Sequence, residues 1–527
     1  MKKTILALSI LSSTLYAQNI KYSFSQEFES IKKHIDFGFY KFDENKYAEV
    51  YYRKGDDMMF QIYDKQFNAI KNEETALLPD DSKHFEHESF RCIKNNFFWF
   101  YSTWDRKQQA ENLYALPFDK TSFKFSTSPI ELIEAPKLAN RYNKYTFNTS
   151  TDSTKTLITY RVKPREKRDK LNKDIIGFNL FDTKMKKLYS AEIEMPYSEA
   201  DMDILDHEVD SRNNIYLLAQ VKLNNSIDGE DNKENKKAYR YELMRVNQKD
   251  NSMQAIKITL DNKFTNSVLL KEDLQHNLII TGYYSNKKNS GSSDGAYIIK
   301  LELEDNNSIK KMNTIYSEFS DELLKAYERE RVKRKMDKKE KNDNLEASNL
   351  IFDRIVFEPD GSMLIMGEEY YMVSYSYRCG NSTCYSYTYY YNDIIVLKAD
   401  KNGKTLWSTK IPKRQSGSSP YGLSYKFHKY NGEYYFFYLD DIRVTDTEFN
   451  INPTGHSGEK GDYLASVILD ANGKMSKKCI LEMRDDKIKE EHIRLNPSAF
   501  ESINENLIVD RLREDRKHSK VFRLELK

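Results

Sequence analysis

Short runs of Tyr, Phe, Ile, Leu and Val, separated by turn residues, follow one another along nearly the whole chain. Such runs are typical of β-strands when Gly, Pro, Asn and Asp bound them. The three- and four-residue spacing of apolar positions that marks an amphipathic helix is almost absent. The pattern therefore predicts an all-β fold.

The strand runs are grouped in units of four, and residues 351–411 show the grouping best. Four runs there, IFDRIVFE, SMLIMGEEYY, NDIIVLKA and TLWSTKI, are joined by a tight turn, a long loop and a second tight turn. The second turn contains Asn402-Gly403, a strong hairpin signal between strand runs. Further units cover 204–260, 267–316 and 421–483, weaker ones cover 35–78, 85–133 and 145–194, and the last, 492–527, has three runs.

Four strands per unit, with first strands about 50 to 84 residues apart, are the signature of a β-propeller. We count eight blades, with seven as the alternative if one weak N-terminal unit is an extension. A spare run, IKYSFSQEF at 20–28, can supply the missing outer strand of the last blade and close the ring. Residues 18–527 are thus predicted to form a single propeller domain.

The N-terminus has the pattern of a secretory signal peptide. Lys2 and Lys3 precede a short apolar run from Ile5 to Leu15, and Ala17 is a small residue at the expected cleavage point. The run is too short for an ordinary transmembrane helix. We therefore expect residues 1–17 to be removed and the protein to be exported to the periplasm, the cell surface or the medium, without a transmembrane segment.

Charge and composition exclude other classes. With 39% hydrophobic and 31% charged residues, the chain is neither disordered nor an integral membrane protein. Loss of Lys2 and Lys3 with the signal peptide balances the 83 basic against the 81 acidic residues. A net charge of zero excludes a general electrostatic attraction to nucleic acid.

The stretch MVSYSYRCGNSTCYSYTYYY at 372–391 alternates Tyr with Ser on both sides of a Cys-x4-Cys turn. This pattern predicts a protruding β-hairpin clipped at its tip by a disulfide between Cys379 and Cys384. Rigid Tyr with small Ser is a composition that binding surfaces use, including surfaces that stack on sugars or proteins. The candidate binding residues are Tyr375, Tyr377, Tyr385, Tyr387 and Tyr389. The alternative is that their rings pack on the neighbouring blade. The other two cysteines, Cys92 and Cys479, lie in strand-like runs, where we expect buried thiols.

The two ends of the predicted blades carry different loops. First-to-second and third-to-fourth turns are short, but second-to-third loops are long in five successive blades, at 163–173, 223–237, 285–295, 372–391 and 440–461. These loops and the crossovers between blades share one face of a propeller, here called the long-loop face. Elaborate loops on a rigid scaffold are where binding sites usually lie, although neutral variation of surface loops gives the same pattern.

One helical signal, at 317–347, separates the fifth and sixth units. Ser320 fits an N-cap, and Leu323, Leu324 and Tyr327 form a short apolar patch. Lys and Arg dominate the remainder, so we expect an inserted, charged helix whose distal part is solvated.

Catalytic and metal motifs are weak. The Gly-x-Ser-x-Gly match at 291–295 lies in a polar loop, whereas a nucleophile elbow needs a strand, a sharp turn and a helix. His84 and His87 are weak candidates for metal ligands, because the His-Glu-x-x-His pattern is missing. The acidic crossover that contains Asp203 and His207 has the same weakness. No catalytic residue, metal site or cofactor is predicted.

The repeated strands behind an export signal resemble exported propeller-like proteins of Gram-negative bacteria. GKTLWSTKI at 403–411 is similar to one strand of a quinoprotein-like blade, over about nine residues. Trp99 and Trp104 do not repeat that motif. The resemblance implies the fold and the compartment, and it implies no quinone cofactor.

The leading hypothesis is a non-catalytic binding or scaffold propeller that acts as a monomer and, because its net charge is zero, does not bind nucleic acid. It would recognise a protein or a glycan through the long-loop face and the Tyr-rich hairpin. The alternative is a hydrolase or lyase acting on a glycan, with carboxylates from several blades converging at the axial end of the same face.

Overall fold

The structure, a computed structural model, describes residues 20–30, 35–52, 58–75, 85–140, 142–164, 172–222, 239–261, 263–287, 291–303, 309–341, 345–380, 382–441, 456–457, 463–483, 493–513 and 518–527. The predicted signal peptide, residues 1–17, lies outside the described residues. So do His84 and most of the loops at 163–173, 223–237 and 440–461.

Two N-terminal strands, β1 (Ile20–Phe24) and β2 (Phe28–Glu29), precede the first sheet. Sheet I contains β3 (Ile35–Lys41), β4 (Tyr47–Tyr52), β5 (Met58–Tyr63) and β6 (Ala69–Thr75). Sheet II contains β7 (Phe85–Ile93), β8 (Asn96–Asp105), β9 (Ala110–Asp119), β10 (Lys124–Phe125) and β11 (Ile130–Ala135). Sheet III contains β12 (Tyr145–Thr149), β13 (Lys155–Arg161), β14 (Lys173–Asp182) and β15 (Lys187–Ser198). Sheet IV contains β16 (Met202–Val209), β17 (Ile215–Lys222), β18 (Tyr239–Asn247) and β19 (Ser252–Ile258).

Sheet V contains β20 (Phe264–Glu272), β21 (Leu278–Ser285), β23 (Gly295–Leu303) and β24 (Ile309–Glu318), and the short strand β22 (Ser292–Ser293) lies between β21 and β23. Two helices, α1 (Asp321–Lys325) and α2 (Glu330–Glu340), then precede β25 (Ala347–Ser348), which pairs with β22. Sheet VI contains β26 (Leu350–Phe357), β27 (Met363–Cys379), β28 (Ser382–Ala399), β29 (Thr405–Ile411), β30 (Gln415–Gly417) and β33 (His456–Ser457). Sheet VII contains β31 (Lys426–Tyr430), β32 (Glu433–Asp440), β34 (Tyr463–Leu469) and β35 (Met475–Glu482). Sheet VIII contains β36 (Glu501–Asn504), β37 (Leu507–Arg513) and β38 (His518–Leu526), together with β1 and β2.

Every strand pair described is antiparallel except the short pair of β30 with β33. The middle strands β4, β5 and β34 are buried at every position, and β32 is buried at every position after Glu433. Continuous burial means that both faces of these sheets are covered, which is why their sequences are nearly unbroken apolar and aromatic runs. Those runs supplied the strongest strand signals in the sequence.

Hydrophobic clusters join each sheet to the next. The ring of Phe60 in sheet I stacks on Phe118 of sheet II at 4.5 Å between centroids. Similar clusters join II to III, III to IV, IV to V, V to VI, VI to VII and VII to VIII. A further cluster packs Phe39 and Phe67 of sheet I against Val509 of sheet VIII. This packing of successive sheets, five of them four-stranded, confirms the predicted class, an all-β propeller.

First strands of neighbouring sheets contact one another, as β12 does with β16, β16 with β20, and β36 with β3. This is the arrangement expected when first strands surround the axis of a propeller. The N-terminal run pairs with the last strand of the chain, from Ile20 opposite Leu526 to Phe24 opposite Phe522. It therefore occupies the outer position of sheet VIII, where the sequence placed it.

Strand boundaries differ from expectation in the last two sheets. The first strands were expected to begin near 421 and 492, but they begin at Lys426 and Glu501. A short 3-10 helix, Pro497–Ala499, occupies part of the second run. Proline has no amide hydrogen to donate to a sheet and favours the first turn of a helix, which explains the late start of β36.

The inserted helix at 317–347 was predicted as one element, and that prediction is wrong. Residues 317–318 still belong to β24, and the helical part is divided into α1 and α2. Tyr327, between them, has a positive φ of 60°, which the right-handed α-helix does not accept. Ser320 does cap α1, because its hydroxyl accepts a hydrogen bond from Leu323 N. Leu323 and Leu324 are buried between sheets V and VI, whereas α2 has no buried residue.

Two further observations concern the cysteines and the membrane. Cys92 and Cys479 were expected to be buried, but both are exposed, on strands whose other faces pack inwards. Among the described helices, neither is long and apolar enough to cross a bilayer.

Candidate recognition site: the Tyr-rich ribbon

The Tyr-rich segment forms a two-stranded ribbon, defined here as residues 370–391, which extends strands β27 and β28 beyond the rest of sheet VI. The two strands stay paired without a break from Tyr370 opposite Tyr391 to Cys379 opposite Ser382. Residues 363–368 of β27 are buried, but 374–378 are exposed at every position. The predicted protruding hairpin is therefore present, and its distal part does not pack on a neighbouring blade.

A disulfide closes the tip of the ribbon. Cys379 and Cys384 are bonded, with their Cα atoms 5.8 Å apart. Both side chains project from the same face, because Cys384 lies opposite Tyr377, two residues before Cys379. Gly380, with a φ of 64°, begins the turn that the bond encloses. The disulfide predicted from the Cys-x4-Cys spacing is confirmed.

The register divides the tyrosines between two faces of the ribbon. Directly opposed residues share a face, and successive residues alternate between faces. Face A carries Tyr371, Tyr375, Tyr377 and Tyr390, and face B carries Tyr370, Tyr385, Tyr387, Tyr389 and Tyr391. The five candidate residues thus belong to two surfaces: Tyr375 and Tyr377 lie on face A, and Tyr385, Tyr387 and Tyr389 lie on face B.

Exposure separates the distal rings from those at the base. Tyr375 and Tyr377 are exposed by 55% and 54%, and Tyr385 and Tyr387 by 61% and 42%. Tyr389 is only half-buried, and its backbone pairs with Gly417 of β30. Four of the five candidates are therefore accessible to a partner from solvent.

Aromatic stacking fixes the base of the ribbon. Tyr371 stacks on Tyr390 across the strands, with ring centroids 4.5 Å apart. On the other face, the rings of Tyr370 and Tyr391 are in contact with their centroids 4.8 Å apart, but they are tilted by 50° to each other. These cross-strand pairs stabilise the two strands where they leave the sheet.

A buried lysine lies beneath this base, and the sequence analysis did not identify it. The side chain of Lys413 is fully buried, and its Nζ lies 2.8 Å from Glu368 Oε1. The same Nζ donates hydrogen bonds to Tyr391 O and Gln415 Oε1, both at 2.9 Å. Burial lowers the pKa of Lys413. The only sequence signal was a basic run, KIPKR at 410–414, directly after an apolar strand.

A second lysine ties the ribbon's sheet to the helical insertion. Lys410 Nζ lies 3.1 Å from Asp393 Oδ2 of β28 and 3.1 Å from Glu328 Oε1. It also donates to Leu324 O, at the end of α1. Burial and the charge of Asp393 raise the pKa of the adjacent Glu369 to about 8. These contacts bring the insertion and the base of the ribbon together at one end of the sheets. That end is the long-loop face, because second-to-third loops and the crossovers between blades share it.

Of the two candidate metal ligands, His84 lies outside the described residues, and His87 is not part of a metal site. Among the described residues, no three His, Cys, Asp or Glu side chains form a group that could hold an ion. His87 is instead part of the packing between sheets I and II: its Nδ1 accepts a 2.7 Å hydrogen bond from Trp99 Nε1, and its ring lies 4.4 Å from that of Phe37. Burial lowers the pKa of His87 to about 4 and that of His207 to about 4.

Carboxylates near the start of the first strands connect neighbouring sheets. The contacts are Asp36 Oδ2 to Arg511 at 3.1 Å, Glu86 Oε2 to Lys144 Nζ at 2.9 Å, and Glu501 Oε2 accepting from Phe39 N at 2.9 Å. Gly38 allows the last of these, because a Cβ there would lie 2.6 Å from the Glu501 carboxylate. These three acids at the long-loop end are held in structural contacts.

Ser211, His276 and Glu272 form the grouping that most resembles a catalytic triad. Ser211 Oγ lies 2.7 Å from His276 Nδ1, and Glu272 Oε1 lies 2.9 Å from the same nitrogen. A proton relay needs the serine and the carboxylate on different nitrogens of the ring. Ser211 also donates directly to Glu272 Oε1. The trio therefore joins the short turns of sheets IV and V and does not form a relay.

The Gly-x-Ser-x-Gly segment at 291–295 is not a nucleophile elbow. Ser292 and Ser293 pair with the short strand β25, and Ser293 is buried. Strand β23 begins at Gly295, so a strand follows these serines where a nucleophile elbow would have a helix. The segment was expected to be a polar loop, but its serines form a short paired strand, and it lacks the strand-turn-helix arrangement of a nucleophile elbow.

No family model matches the chain, and no curated protein matches it significantly. In structure, it is similar to the Dos1 propeller, with a TM-score of 0.38 and 10% identity over 96% of this chain and 95% of that one. It is also similar to polysaccharide lyase Uly1 (TM-score 0.34, 7% identity, 95% and 99% of the chains) and to a prolyl endopeptidase (TM-score 0.37, 8% identity, 93% and 52%). The chain spans about half the length of the prolyl endopeptidase. Because these TM-scores are below 0.5, the assignment to the β-propeller class rests on the sheets of this chain and their packing.

Proposed function

We propose that this chain is an exported, eight-bladed propeller that binds a protein or glycan partner through the ribbon at its long-loop face, without catalysing a reaction. The observation that carries the proposal is the exposure of Tyr375, Tyr377, Tyr385 and Tyr387, by 42% to 61%, on a segment that projects from its sheet. Two exposed rings lie side by side on each face of this segment, and exposed aromatic surface of this kind is a candidate interaction site.

Rigidity supports the same proposal. The disulfide closes the distal end of the ribbon, and the pairs Tyr371–Tyr390 and Tyr370–Tyr391 fix its base. A surface that is already ordered loses little conformational entropy when a partner binds. Tyrosine adds large contact area at low entropic cost and a hydroxyl for hydrogen bonding.

Export is proposed on two grounds. The apolar run from Ile5 to Leu15 behind Lys2 and Lys3 is typical of a signal peptide. The bond between Cys379 and Cys384 is of the kind that persists in oxidising compartments. Both grounds agree with the resemblance to exported propeller-like proteins of Gram-negative bacteria. Cell fractionation, with thiol alkylation before and after reduction, tests the location and the oxidation state together.

The catalytic alternative, a glycan hydrolase or lyase, has no specific observation in its favour. For the hydrolase, a retaining or inverting mechanism needs two carboxyl groups facing a shared substrate. Asp36, Glu86 and Glu501, at the end where such a site was expected, instead contact Arg511, Lys144 and the Phe39 amide. These contacts give the three acids structural roles, which supports the proposal of binding without catalysis.

The test compares the full mature chain with a variant whose ribbon is shortened. Replacing residues 374–387 by Asn-Gly joins Val373 to Thr388, which are already paired, through a two-residue hairpin turn. A photo-crosslinking amino acid at position 377 or 385, introduced in the cells that export the protein, should capture a partner. The same substitution at Tyr142, exposed by 78% outside the ribbon, is the control. Equal capture at Tyr142, or equal binding by the shortened variant, would refute a recognition role.

A further inference from the structure

Face B of the ribbon differs from face A in carrying an unbroken row of rings. Tyr385, Tyr387, Tyr389 and Tyr391 follow one another at every second residue of β28. At about 3.4 Å per residue, the row is about 20 Å long. On face A, Val373 interrupts the series between Tyr371 and Tyr375. Only face B therefore offers a continuous linear series of aromatic rings.

Small hydroxyl side chains lie beside the distal half of this row. Ser376 is directly opposite Tyr385, and Ser374 is directly opposite Tyr387. The serines leave the edge and one side of each ring open, and their hydroxyls both donate and accept hydrogen bonds. The surface thus combines apolar ring faces with uncharged hydrogen-bonding groups along one line.

Charge is nearly absent from the ribbon. Charged residues make up 31% of the chain, yet Arg378 is the sole charged residue in the sequence from 370 to 391. A partner with many charges would lose water without gaining a counter-charge here. An acidic polysaccharide or a nucleic acid would require several cations along its length. The charge of the ribbon therefore matches an uncharged ligand.

The area of one face argues against a globular protein as the occupant. On face B, the strip from Tyr385 to Tyr391 is about 20 Å long and about 10 Å wide, from the rise per residue and the strand spacing, so it offers about 200 Å². A stable protein interface buries about 800 Å² on each partner. A strip this narrow fits an extended oligosaccharide, whose rings can stack on tyrosine faces while its hydroxyls bond to Ser and Tyr oxygens.

We propose that face B binds a linear, uncharged glycan along the row from Tyr385 to Tyr391. This inference rests on the proposed recognition function of the ribbon and assigns its ligand class. The glycan would extend along β28, with the half-buried Tyr389 and Tyr391 at the base and the exposed Tyr385 and Tyr387 towards the tip.

The experiment is affinity electrophoresis of the full mature chain in gels that contain hydroxyethylcellulose, a soluble β-1,3-glucan, starch, dextran or alginate. The test variant is Tyr385→Ser with Tyr387→Ser on face B. The matched control is Tyr375→Ser with Tyr377→Ser on face A, which removes two rings of similar exposure from the same ribbon. Equal thermal unfolding of the two variants and the unmodified protein shows that neither substitution disturbs the propeller.

We expect retardation by at least one uncharged polysaccharide, an apparent Kd about tenfold or more higher for the face B variant, and a change within about twofold for the face A variant. An equal loss of polysaccharide affinity in both variants would indicate a ligand that contacts both faces. Binding to alginate alone, if salt abolishes it, would indicate an acidic ligand. Either result overturns the inference. If no uncharged glycan retards the protein while ribbon-dependent crosslinks persist, the glycan assignment fails and the recognition role stands. If both are absent, both proposals fail.

Discussion

Gly473 offers a direct test of how one sheet docks on the next. It lies in the turn between β34 and β35 of sheet VII, with a φ of 78°. The ring of Trp407, on the outer strand of sheet VI, covers it, and Trp407 Nε1 donates to Ala471 O at 2.9 Å. A Cβ on Gly473 would lie 2.6 Å from Trp407 Cδ2 and 2.7 Å from Cε3, so Gly473→Ala must displace the indole.

Gly432 provides the matched control within the same sheet. Its φ is 77°, almost the same as that of Gly473, but nothing lies within 4 Å of the position a Cβ would take. Gly432→Ala should therefore show only the backbone cost of a positive φ, about 1 kcal/mol. Gly473→Ala adds lost packing and the Trp407 hydrogen bond, for a total of about 2–4 kcal/mol.

The assay is urea unfolding followed by tryptophan fluorescence, with refolding checked at each step, because large proteins can unfold irreversibly. In a Trp407→Ala background the indole is absent, so the cost of Gly473→Ala should fall to that of Gly432→Ala. Equal costs for the two glycine variants in the unmodified protein would show that the Trp407 contact contributes nothing, and the docking argument would be wrong.

Three further predictions concern buried charge, pH and the ribbon tip. Lys413→Met leaves the Glu368 carboxylate buried without its cationic partner and should lower the free energy of unfolding in urea by about 3–5 kcal/mol. Adding Glu368→Gln should recover part of that loss. A decrease of less than about 1 kcal/mol for Lys413→Met would contradict the buried ion pair. Burial lowers the pKa of His87 to about 4 in the folded protein, below the value of about 6.5 in the unfolded chain. The stability that the neutral His87 ring contributes is therefore fully present above about pH 6.5 and is lost as the pH falls towards about 4. His87→Gln should flatten that dependence by at most about 1.4 kcal/mol per pH unit, and an unchanged slope would argue against a neutral core histidine. Cys379→Ser with Cys384→Ser should speed amide exchange in the ribbon, through a local loss of about 2 kcal/mol, while global unfolding stays unchanged.

Several features of this fold were predictable because local interactions produce them. In the turns at Asp400 and Asp470, the carboxylate accepts hydrogen bonds from the amides two and four residues later, which involves only residues of the turn itself. The disulfide follows from a spacing that suits a hairpin tip. Buried middle strands such as β32 follow from unbroken apolar runs.

The candidate site was predictable in part. The sequence identified the ribbon and its tyrosines, since alternation of Tyr and Ser around two cysteines is a local pattern. The sequence analysis treated the five tyrosines as one group, and only the pairing register assigned Tyr375 and Tyr377 to one face and Tyr385 to the other. Lys413 was missed, because its partner Glu368 lies 45 positions away and only folding brings them together.

The role of His87 shows the same limit. As a sequence feature it was a candidate metal ligand, but packing between sheets I and II gives it Trp99 as a hydrogen-bond donor and Phe37 as a neighbour. The helical insertion was expected to be a single helix, but it is divided at Tyr327, whose φ is positive. Three residues earlier, the carbonyl of Leu324 accepts a hydrogen bond from Lys410 of sheet VI.

The all-β class, the four-stranded units, the hairpin turns and the disulfide-closed ribbon are encoded locally, because each depends on side-chain periodicity or on residues a few positions apart. Packing of the sheets establishes which tyrosines share a face, which acids form contacts between sheets, and which lysines lie beneath the ribbon. Those features depend on contacts between residues far apart in the chain, whose energies exist only after the sheets have packed together.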